Sequence, residues 1–257
     1  MTLPVDYEPA VRDPRKLRRT AWVLVAIMLA GGVLVFMAYE KWSRQQAMDD
    51  RPAVIHRILK ERDLRLVRQD GKAADLFELR GQVWVVNVMS LKTPQSSQRS
   101  LAVMKRLAEK FSATPDFNLV SLAVEPMPAA DIVATLTQAA ETHAMKLPQW
   151  WLGGNQPATL HTFIKNELKA DVFPHAAGGE WIFDSSIVLI DRNGHLRRAV
   201  VPRTSGQAAT ITFNFDLAAK WDAQGLKSGS PRSNEAEMET LLAKTIDKLL
   251  AEPLQAP

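Results

Sequence analysis

The sequence predicts a single α/β domain, a mixed sheet flanked by helices, preceded by one N-terminal transmembrane helix. Three observations predict it: a long uncharged apolar run near the N-terminus, two β-branched runs separated by an amphipathic segment, and a final stretch with helical apolar spacing. The 257 residues suffice for an anchor and one sizeable domain, since domains typically contain roughly 100 to 200 residues. Apolar residues make up 46% of the chain, which is enough for a core and excludes general disorder.

The transmembrane helix is expected over residues 21–39, which carry no formal charge. A helix needs about 20 apolar residues to cross the hydrocarbon layer of a membrane. Basic residues cluster before this segment and few follow it, so the positive-inside rule leaves residues 1–20 as a cytoplasmic tail. A cleaved signal peptide is the alternative, but the apolar stretch exceeds the roughly 7–15 residues of such a peptide and no small-x-small cleavage site follows it. We therefore expect a single-pass anchor in a bacterial-type inner membrane, with the soluble domain in the periplasm.

The next segment, residues 40–63, is charged and polar and contains a proline, which is typical of a juxtamembrane linker. We expect this linker to end in a short helix. The soluble domain is then expected over residues 64–257. It begins with a hairpin over residues 64–80 that turns at Asp70-Gly71.

The centre of the domain is predicted from two β-branched runs. Residues 83–88 and 117–124 show little polar alternation, as expected of strands that are buried on both faces. Residues 97–111, between them, place apolar side chains at helical spacing. A crossover of this length joins the two strands as a right-handed, parallel βαβ unit.

The second half of the chain adds further helices and an antiparallel hairpin, which makes the sheet mixed. The expected elements are a helix over 130–143, a strand over 150–154, a helix over 159–168, a hairpin over 185–201 that turns at Asn193-Gly194, a long loop or partly ordered insertion over 202–232, and a final helix over about 233–251.

Composition excludes several classes of function. The chain has no cysteine, so disulfides, thiolate metal sites, Fe–S clusters and thiol nucleophiles are excluded. The net charge of +4 is concentrated partly in residues 1–20, whereas nucleic-acid binding would need a basic face on the folded domain. No glycine-rich loop leads into a Lys-Ser or Lys-Thr pair that could hold phosphate. We predict neither nucleic-acid binding nor a resident cofactor.

Several segments of the domain occur in a recognisable order and spacing. These segments are residues 79–84 at the entry to the first core strand, Pro94 in the loop after that strand, residues 120–126 around the end of the second strand, residues 150–154, and residues 185–194. The order of elements is that of a thioredoxin-like domain, and the segments resemble the SCO/SenC family of cytochrome oxidase assembly proteins over roughly residues 64–200. The resemblance implies a thioredoxin-like fold, a membrane anchor and a respiratory partner.

The chain departs from this family at the copper site. Family members usually carry a Cys-x-x-x-Cys-Pro motif after the first core strand and a histidine before a late strand, which together bind one copper ion. Here Thr93 and Ser97 stand at about the two cysteine positions, and the histidine position falls at Phe183 or Asp184. Soft thiolates select Cu(I) and hydroxyl groups do not replace them. The family's metal site and its thiol–disulfide exchange are therefore not expected in this chain.

Two other sites can be considered from the residue types, a copper site without cysteine and a serine nucleophile. Met89 and Met104, with His175, could form a thioether and imidazole copper site, although a methionine at the end of a buried strand or on a core helix more often fills the core. Ser96 or Ser97 could be combined with His175 and Asp184 as a nucleophilic triad, but no sharp turn presents that serine. Met89 and His175 stay as weak metal-ligand candidates, and no catalytic residue is predicted.

The predicted function is therefore that of a non-catalytic, SCO-like protein that binds or scaffolds a respiratory complex or its assembly factors. The expected contact face carries the 90–98 loop, the 172–184 loop and part of the 202–232 segment. The alternative is a copper metallochaperone that uses methionine and histidine ligands. A third class is an enzyme of unknown chemistry in which Asp184 would be essential.

Overall fold

The computed structural model describes residues 14–49, 51–201, 209–226 and 232–253. The chain divides into two compact units, residues 1–50 and residues 51–257, and each is described separately.

The first unit contains one long helix, α1 (Pro14–Asp49). Within its stretch Pro14–Tyr39, the most apolar window of 18 residues has a mean hydropathy of 2.5, and none of that window is buried in the protein. At a rise of about 1.5 Å per residue these 26 residues extend over about 39 Å, which exceeds the roughly 30 Å of a bilayer's hydrocarbon core. The predicted N-terminal apolar helix is confirmed, and it is a candidate membrane span.

The described residues of the second unit form eleven strands and five helices. They are, in chain order, β1 (Ala53–Arg57), β2 (Arg65–Arg68), β3 (Ala73–Asp75), β4 (Val83–Met89), α2 (Gln98–Lys110), β5 (Phe117–Ala123), α3 (Ile132–His143), β6 (Trp150–Gly154), α4 (Pro157–Asn166), β7 (His175–Ala177), β8 (Glu180–Ile182), β9 (Val188–Ile190), β10 (His195–Val201), β11 (Ala209–Ile211), α5 (Phe215–Ala223) and α6 (Asn234–Ala251). Short 3₁₀ turns occupy Lys60–Arg62, Leu76–Leu79 and Pro94–Ser97.

The main sheet has the strand order β1-β10-β9-β4-β5-β6-β2-β3, and β11 pairs with β10. Strands β4, β5 and β6 are parallel, and the remaining pairs in the sheet are antiparallel. Strands β7 and β8 form a separate antiparallel hairpin. The predicted mixed α/β sheet is confirmed.

Two apolar cores lie on opposite faces of the sheet, because successive side chains of a strand point in opposite directions. Val83, Val85 and Met89 of β4 pack with residues of α2, α3, α5 and α6. The alternate residues Trp84 and Val86 pack with residues of α4 and of the turn before β4. Every residue of β4 and β5 is buried, as predicted from their continuous apolar character.

The segment expected to be a linker ends in the short 3₁₀ turn Lys60–Arg62, but it also contains a strand that was not predicted. Helix α1 extends to Asp49, and β1 then pairs with β10 at the edge of the sheet, with a bulge between Val54 and His56. Strand β1 was not predicted because it is an edge strand with one face towards solvent. Its charged and polar side chains conceal the β-branched pair Val54-Ile55.

The insertion expected as a loop also contains regular structure in its described part, residues 209–226. Strand β11 extends the sheet, and α5 packs Phe215 into the core next to the buried Phe213. The side chain of Asn214 caps α5 by accepting the N–H of Leu217 at 2.8 Å. Of the two expected forms, the loop is wrong over these residues and the partly ordered insertion agrees with them. Residues 202–208 and 227–231 lie outside the described part of the chain.

Candidate functional site

The loop corresponding to the family's copper motif begins where β4 ends. Met89 of β4 lies opposite Ala123 of β5, and the backbone N–H of Val124 donates to the carbonyl of Met89 at 3.0 Å. The carboxyl ends of parallel strands meet at one edge of a sheet, which is where α/β folds usually carry their sites. Ser90, just after β4, and Glu125, just after β5, are therefore brought together.

Thr93, at the first cysteine position, belongs to a buried hydrogen-bond network. Its backbone N–H donates to Ser90 Oγ at 2.9 Å, and the hydroxyl groups of Ser90 and Thr93 lie 2.8 Å apart. Ser90 Oγ in turn donates to Glu125 Oε1, which also accepts the backbone N–H of Lys92 at 3.1 Å. Thr93 thus contacts hard oxygen atoms of its own chain.

Ser97, at the second cysteine position, is fully buried. It ends the 3₁₀ turn Pro94–Ser97, and α2 starts at the next residue. Its carbonyl accepts the hydroxyl of Ser100 at 3.0 Å. Its position in the turn makes Ser97 part of the packing at the start of α2.

Asp184, one of the two residues expected at the histidine position, is 8% exposed and holds its own loop together. Its Oδ2 accepts the backbone N–H of Asp171 at 2.8 Å, and its Oδ1 accepts the backbone N–H of Ser186 at 2.9 Å. The hydroxyl of Ser186 also donates to Oδ1. These bonds connect the two ends of the segment that carries the β7–β8 hairpin.

The two weak metal candidates lie in different environments. Met89 is completely buried in the apolar core, whereas His175 lies on the exposed strand β7 opposite Ile182. The Nδ1 atom of His175 lies 2.9 Å from the carbonyl oxygen of Phe173. Within the part of the chain that the structure describes, no group of three or more His, Asp or Glu side chains is placed to hold a metal ion.

Sequence reasoning missed the roles of Ser90 and Glu125. Both are buried, at 0% and 2% exposure, and Glu125 Oε2 has no hydrogen-bond partner among the described residues. A signal was present, because Glu125 directly follows a strand that is apolar on both faces and precedes a proline. A carboxylate at such a position is costly to bury unless the fold provides donors for it.

The 172–184 segment, expected as a loop, contains the β7–β8 hairpin. Gly178 and Gly179 make its turn with φ angles of +61° and +85°, a conformation that favours glycine. The hairpin is attached to α4 by His161, whose ring lies 5.4 Å from Trp181 and 5.9 Å from Phe173 in edge-to-face contacts. His161 is buried and its Nε2 lies 2.8 Å from the Val124 carbonyl oxygen.

Apolar side chains remain exposed around this hairpin. Phe173 is 48% exposed and Ile182 is 44% exposed. Aromatic and branched apolar residues of this kind are enriched in the centres of protein interfaces. We call Val172, Phe173 and Ile182 the hairpin patch.

Comparisons with known proteins identify the fold. No family model and no curated protein sequence matches the chain. Among solved structures, a SCO1/SenC family lipoprotein from Bacillus anthracis matches with a TM-score of 0.51 and 18% identity, over 78% of this chain and 99% of that one. A putative electron transfer protein from Aquifex aeolicus matches with a TM-score of 0.49 and 12% identity, over 70% of this chain and 97% of that one. Copper-bound ScoI from Arabidopsis thaliana matches with a TM-score of 0.48 and 11% identity, over 72% of this chain and 97% of that one.

At 18% identity the first of these similarities demonstrates a common architecture. It agrees with the strand order, in which a parallel βαβ unit is followed by an antiparallel hairpin. It also covers nearly the full length of the Bacillus anthracis protein. The chain therefore has the thioredoxin-like fold of a SCO1/SenC family protein, and it has this fold without a single cysteine.

Proposed function

We propose that the chain is a membrane-anchored, non-catalytic SCO-like protein that binds or scaffolds components during the assembly of a respiratory cytochrome oxidase. One observation carries the proposal. The fold is retained, while Thr93 and Asp184 at two of the three copper-ligand positions are hydroxyl and carboxylate groups engaged in hydrogen bonds within the domain. Oxygen donors of this kind do not select Cu(I).

A binding role is favoured over redox turnover because thiol chemistry requires a thiolate. The chain contains no cysteine, so it cannot form the mixed disulfide through which thiol–disulfide exchange proceeds. At this edge the fold still provides a shaped surface made by the 90–98 loop and the hairpin patch. We propose that this surface contacts the respiratory partner.

Anchoring is part of the same proposal. Residues 21–39 would span the inner membrane, residues 1–20 would be cytoplasmic, and the domain would lie in the periplasm. Because β1 belongs to the sheet, we place the start of the soluble domain near Arg51 and not at residue 64. The anchor would hold the domain beside membrane-embedded partners and raise its effective concentration there.

Site-specific cross-linking tests the contact surface directly. Because the chain lacks cysteine, single substitutions such as Ala176→Cys on β7 and Lys105→Cys on α2 each give one attachment point for a photo-cross-linker. We expect oxidase subunits or assembly factors to be captured from position 176 and not from position 105, where the exposed side of α2 serves as the matched control. Capture of the same proteins from both positions, or none from position 176, would contradict the proposal.

A copper titration separates scaffolding from the metallochaperone alternative. The full chain in detergent would be titrated with Cu(I) against a competing chelator. We expect no tight one-to-one binding. Tight binding that is lost in Met89→Leu or His175→Ala would instead support copper handling through thioether and imidazole ligands.

A further inference from the structure

The carboxylate of Glu125 lies where the loop after β4 meets the end of β5. We propose that Glu125 is a positioning residue that holds this loop in one fixed conformation, so that the partner-binding edge is formed without a metal ion or a disulfide. We call Ser90, Thr93, Glu125 and the backbone N–H of Lys92 the polar clasp. The inference rests on the proposed function only in assigning a partner to this edge.

The clasp continues the strand pairing beyond the end of the sheet. The last ladder pair is Met89 with Ala123, and one further backbone bond joins Val124 to Met89. Side chains then take over, because the next bond connects Ser90 to Glu125. The chain is thereby held together at the point where it leaves the sheet.

Two atoms of the clasp, Ser90 Oγ and Glu125 Oε1, have their hydrogen-bonding capacity fully used. A serine hydroxyl has one hydrogen to donate and two lone pairs to accept. Ser90 donates to Glu125 Oε1 and accepts the N–H of Thr93, which leaves its second lone pair for the Thr93 hydroxyl. Glu125 Oε1 accepts from both Ser90 and Lys92. Because the single hydrogen of the Ser90 hydroxyl is donated to Glu125, the Thr93 hydroxyl is the donor in its hydrogen bond with Ser90.

The clasp acts through one oxygen of the carboxylate. Oε1 makes both contacts, whereas the buried Oε2 has no partner among the described residues. An amide oxygen at the position of Oε1 would keep both bonds, so the acceptor can be separated experimentally from the charge.

The fixed loop leads directly into an exposed turn. Thr93 is the residue before the turn Pro94–Ser97, and its carbonyl accepts both the backbone N–H of Ser96 at 3.1 Å and the hydroxyl of Ser96 at 2.7 Å. Helix α2 begins directly after the turn. Holding Thr93 therefore sets the position of the turn and of the start of α2. A surface formed this way does not depend on copper loading or redox state.

Hydrogen exchange of the full chain in detergent tests the clasp. We expect Glu125→Ala and Ser90→Ala to speed exchange in peptides covering residues 90–98 by about tenfold, as expected for losing a buried hydrogen-bond partner. Glu125→Gln should stay close to wild type because it keeps the acceptor. Glu109→Ala, on the exposed side of α2, is the matched control and should leave the exchange rate of residues 90–98 unchanged. Copper ions and reductant should leave the wild-type pattern unchanged.

Two results would overturn the inference. Unchanged exchange in both alanine variants would show that the loop is held by other contacts. Loss of protection in Glu125→Gln equal to that in Glu125→Ala would assign the role to the negative charge. If Glu125→Ala fails to fold, Ser90→Ala and Glu125→Gln decide the matter. The exchange results can support the clasp while cross-linking from position 176 captures no oxidase component. That combination would reject the proposed function and leave the inference about the clasp intact.

Discussion

Single residues at the two ends of the sheet show how this chain uses buried charge. At the end opposite the polar clasp, Arg197 of β10 is 6% exposed and contacts three parts of the fold. It donates to Asp191 at 2.7 Å, to Glu252 after α6 at 3.0 Å, and to the carbonyl of Pro52 before β1 at 3.0 Å. One guanidinium therefore ties the start of the domain to its last helix.

Removing this guanidinium should be costly. Arg197→Met would leave the carboxylate of Asp191, itself 3% exposed, without its strongest cationic partner. Breaking a buried pair from one side typically costs about 3–5 kcal/mol. The matched control is Arg99→Met, because Arg99 pairs with Glu235 on the surface, where such pairs contribute at most about 1 kcal/mol. Urea unfolding of both variants measures the difference, and equal losses would contradict the argument.

Asp63 gives a prediction about pH. Burial raises its pKa above the ordinary value, and the backbone N–H groups of Phe77 and Leu64 offset part of that effect. Because the folded state then binds the proton more tightly than the unfolded state, Asp63 lowers stability as pH rises from the unfolded pKa through the folded one. Asp63→Asn can keep the Phe77 bond without titrating. We expect it to gain in Tm relative to wild type between about pH 4 and pH 7.

Asp70 is the control for this experiment, because its pKa is shifted in the opposite direction to that of Asp63. The hydrogen bond from Arg68 lowers the pKa of Asp70, so its stabilising contribution is present above the unfolded pKa and is lost as pH falls through the folded one. Asp70→Asn should therefore lose in Tm relative to wild type as pH rises to the unfolded pKa of about 4, and it should keep that deficit at higher pH. Parallel behaviour of the two asparagine variants would refute the electrostatic account.

At the scale of elements, the spacing of apolar residues predicted the strands and helices whose own sequence determines them. Strands β4 and β5 were predicted because both faces are covered and their runs are uninterrupted, and α6 because its apolar face repeats at helical spacing. Strand β1 and helix α5 were not predicted because tertiary contacts decide them. The same limit applies to the site, where the sequence identified Thr93, but the pairing of strand ends was needed to bring Glu125 to Ser90.

Helix α5 allows a direct test of this tertiary contribution. Phe215 is fully buried and joins the core on the α2 and α6 side of the sheet. Replacing it with alanine should cost about 3–5 kcal/mol, as is typical of truncating a core phenylalanine. Leu217 lies two residues later and is 41% exposed, so Leu217→Ala should cost well under about 1 kcal/mol. Chemical unfolding of the two variants compares them, and a small loss for Phe215→Ala would show that α5 contributes little to the core.

At the scale of the whole molecule, the charge pattern and the fold make one consistent assignment. The basic residues before the apolar segment predict a cytoplasmic N-terminus, and the absence of cysteine removes the chemistry that an oxidising compartment would act on. In the proposed function, the anchor would hold the domain at the membrane and the thioredoxin-like domain would provide the surface that contacts the partner. A protein organised in this way can assist assembly without turning over a substrate.

The topology can be measured with the same cysteine-free background. Thr2→Cys would place a thiol before the anchor and Ala176→Cys would place one on the β7–β8 hairpin. In intact spheroplasts, a membrane-impermeant maleimide should label position 176 at once and position 2 only after permeabilisation, because the positive-inside rule keeps the tail in the cytoplasm. Alkaline washing should leave the protein in the membrane. Release by that wash, together with loss of the position 2 thiol from the mature chain, would identify the apolar segment as a cleaved signal peptide.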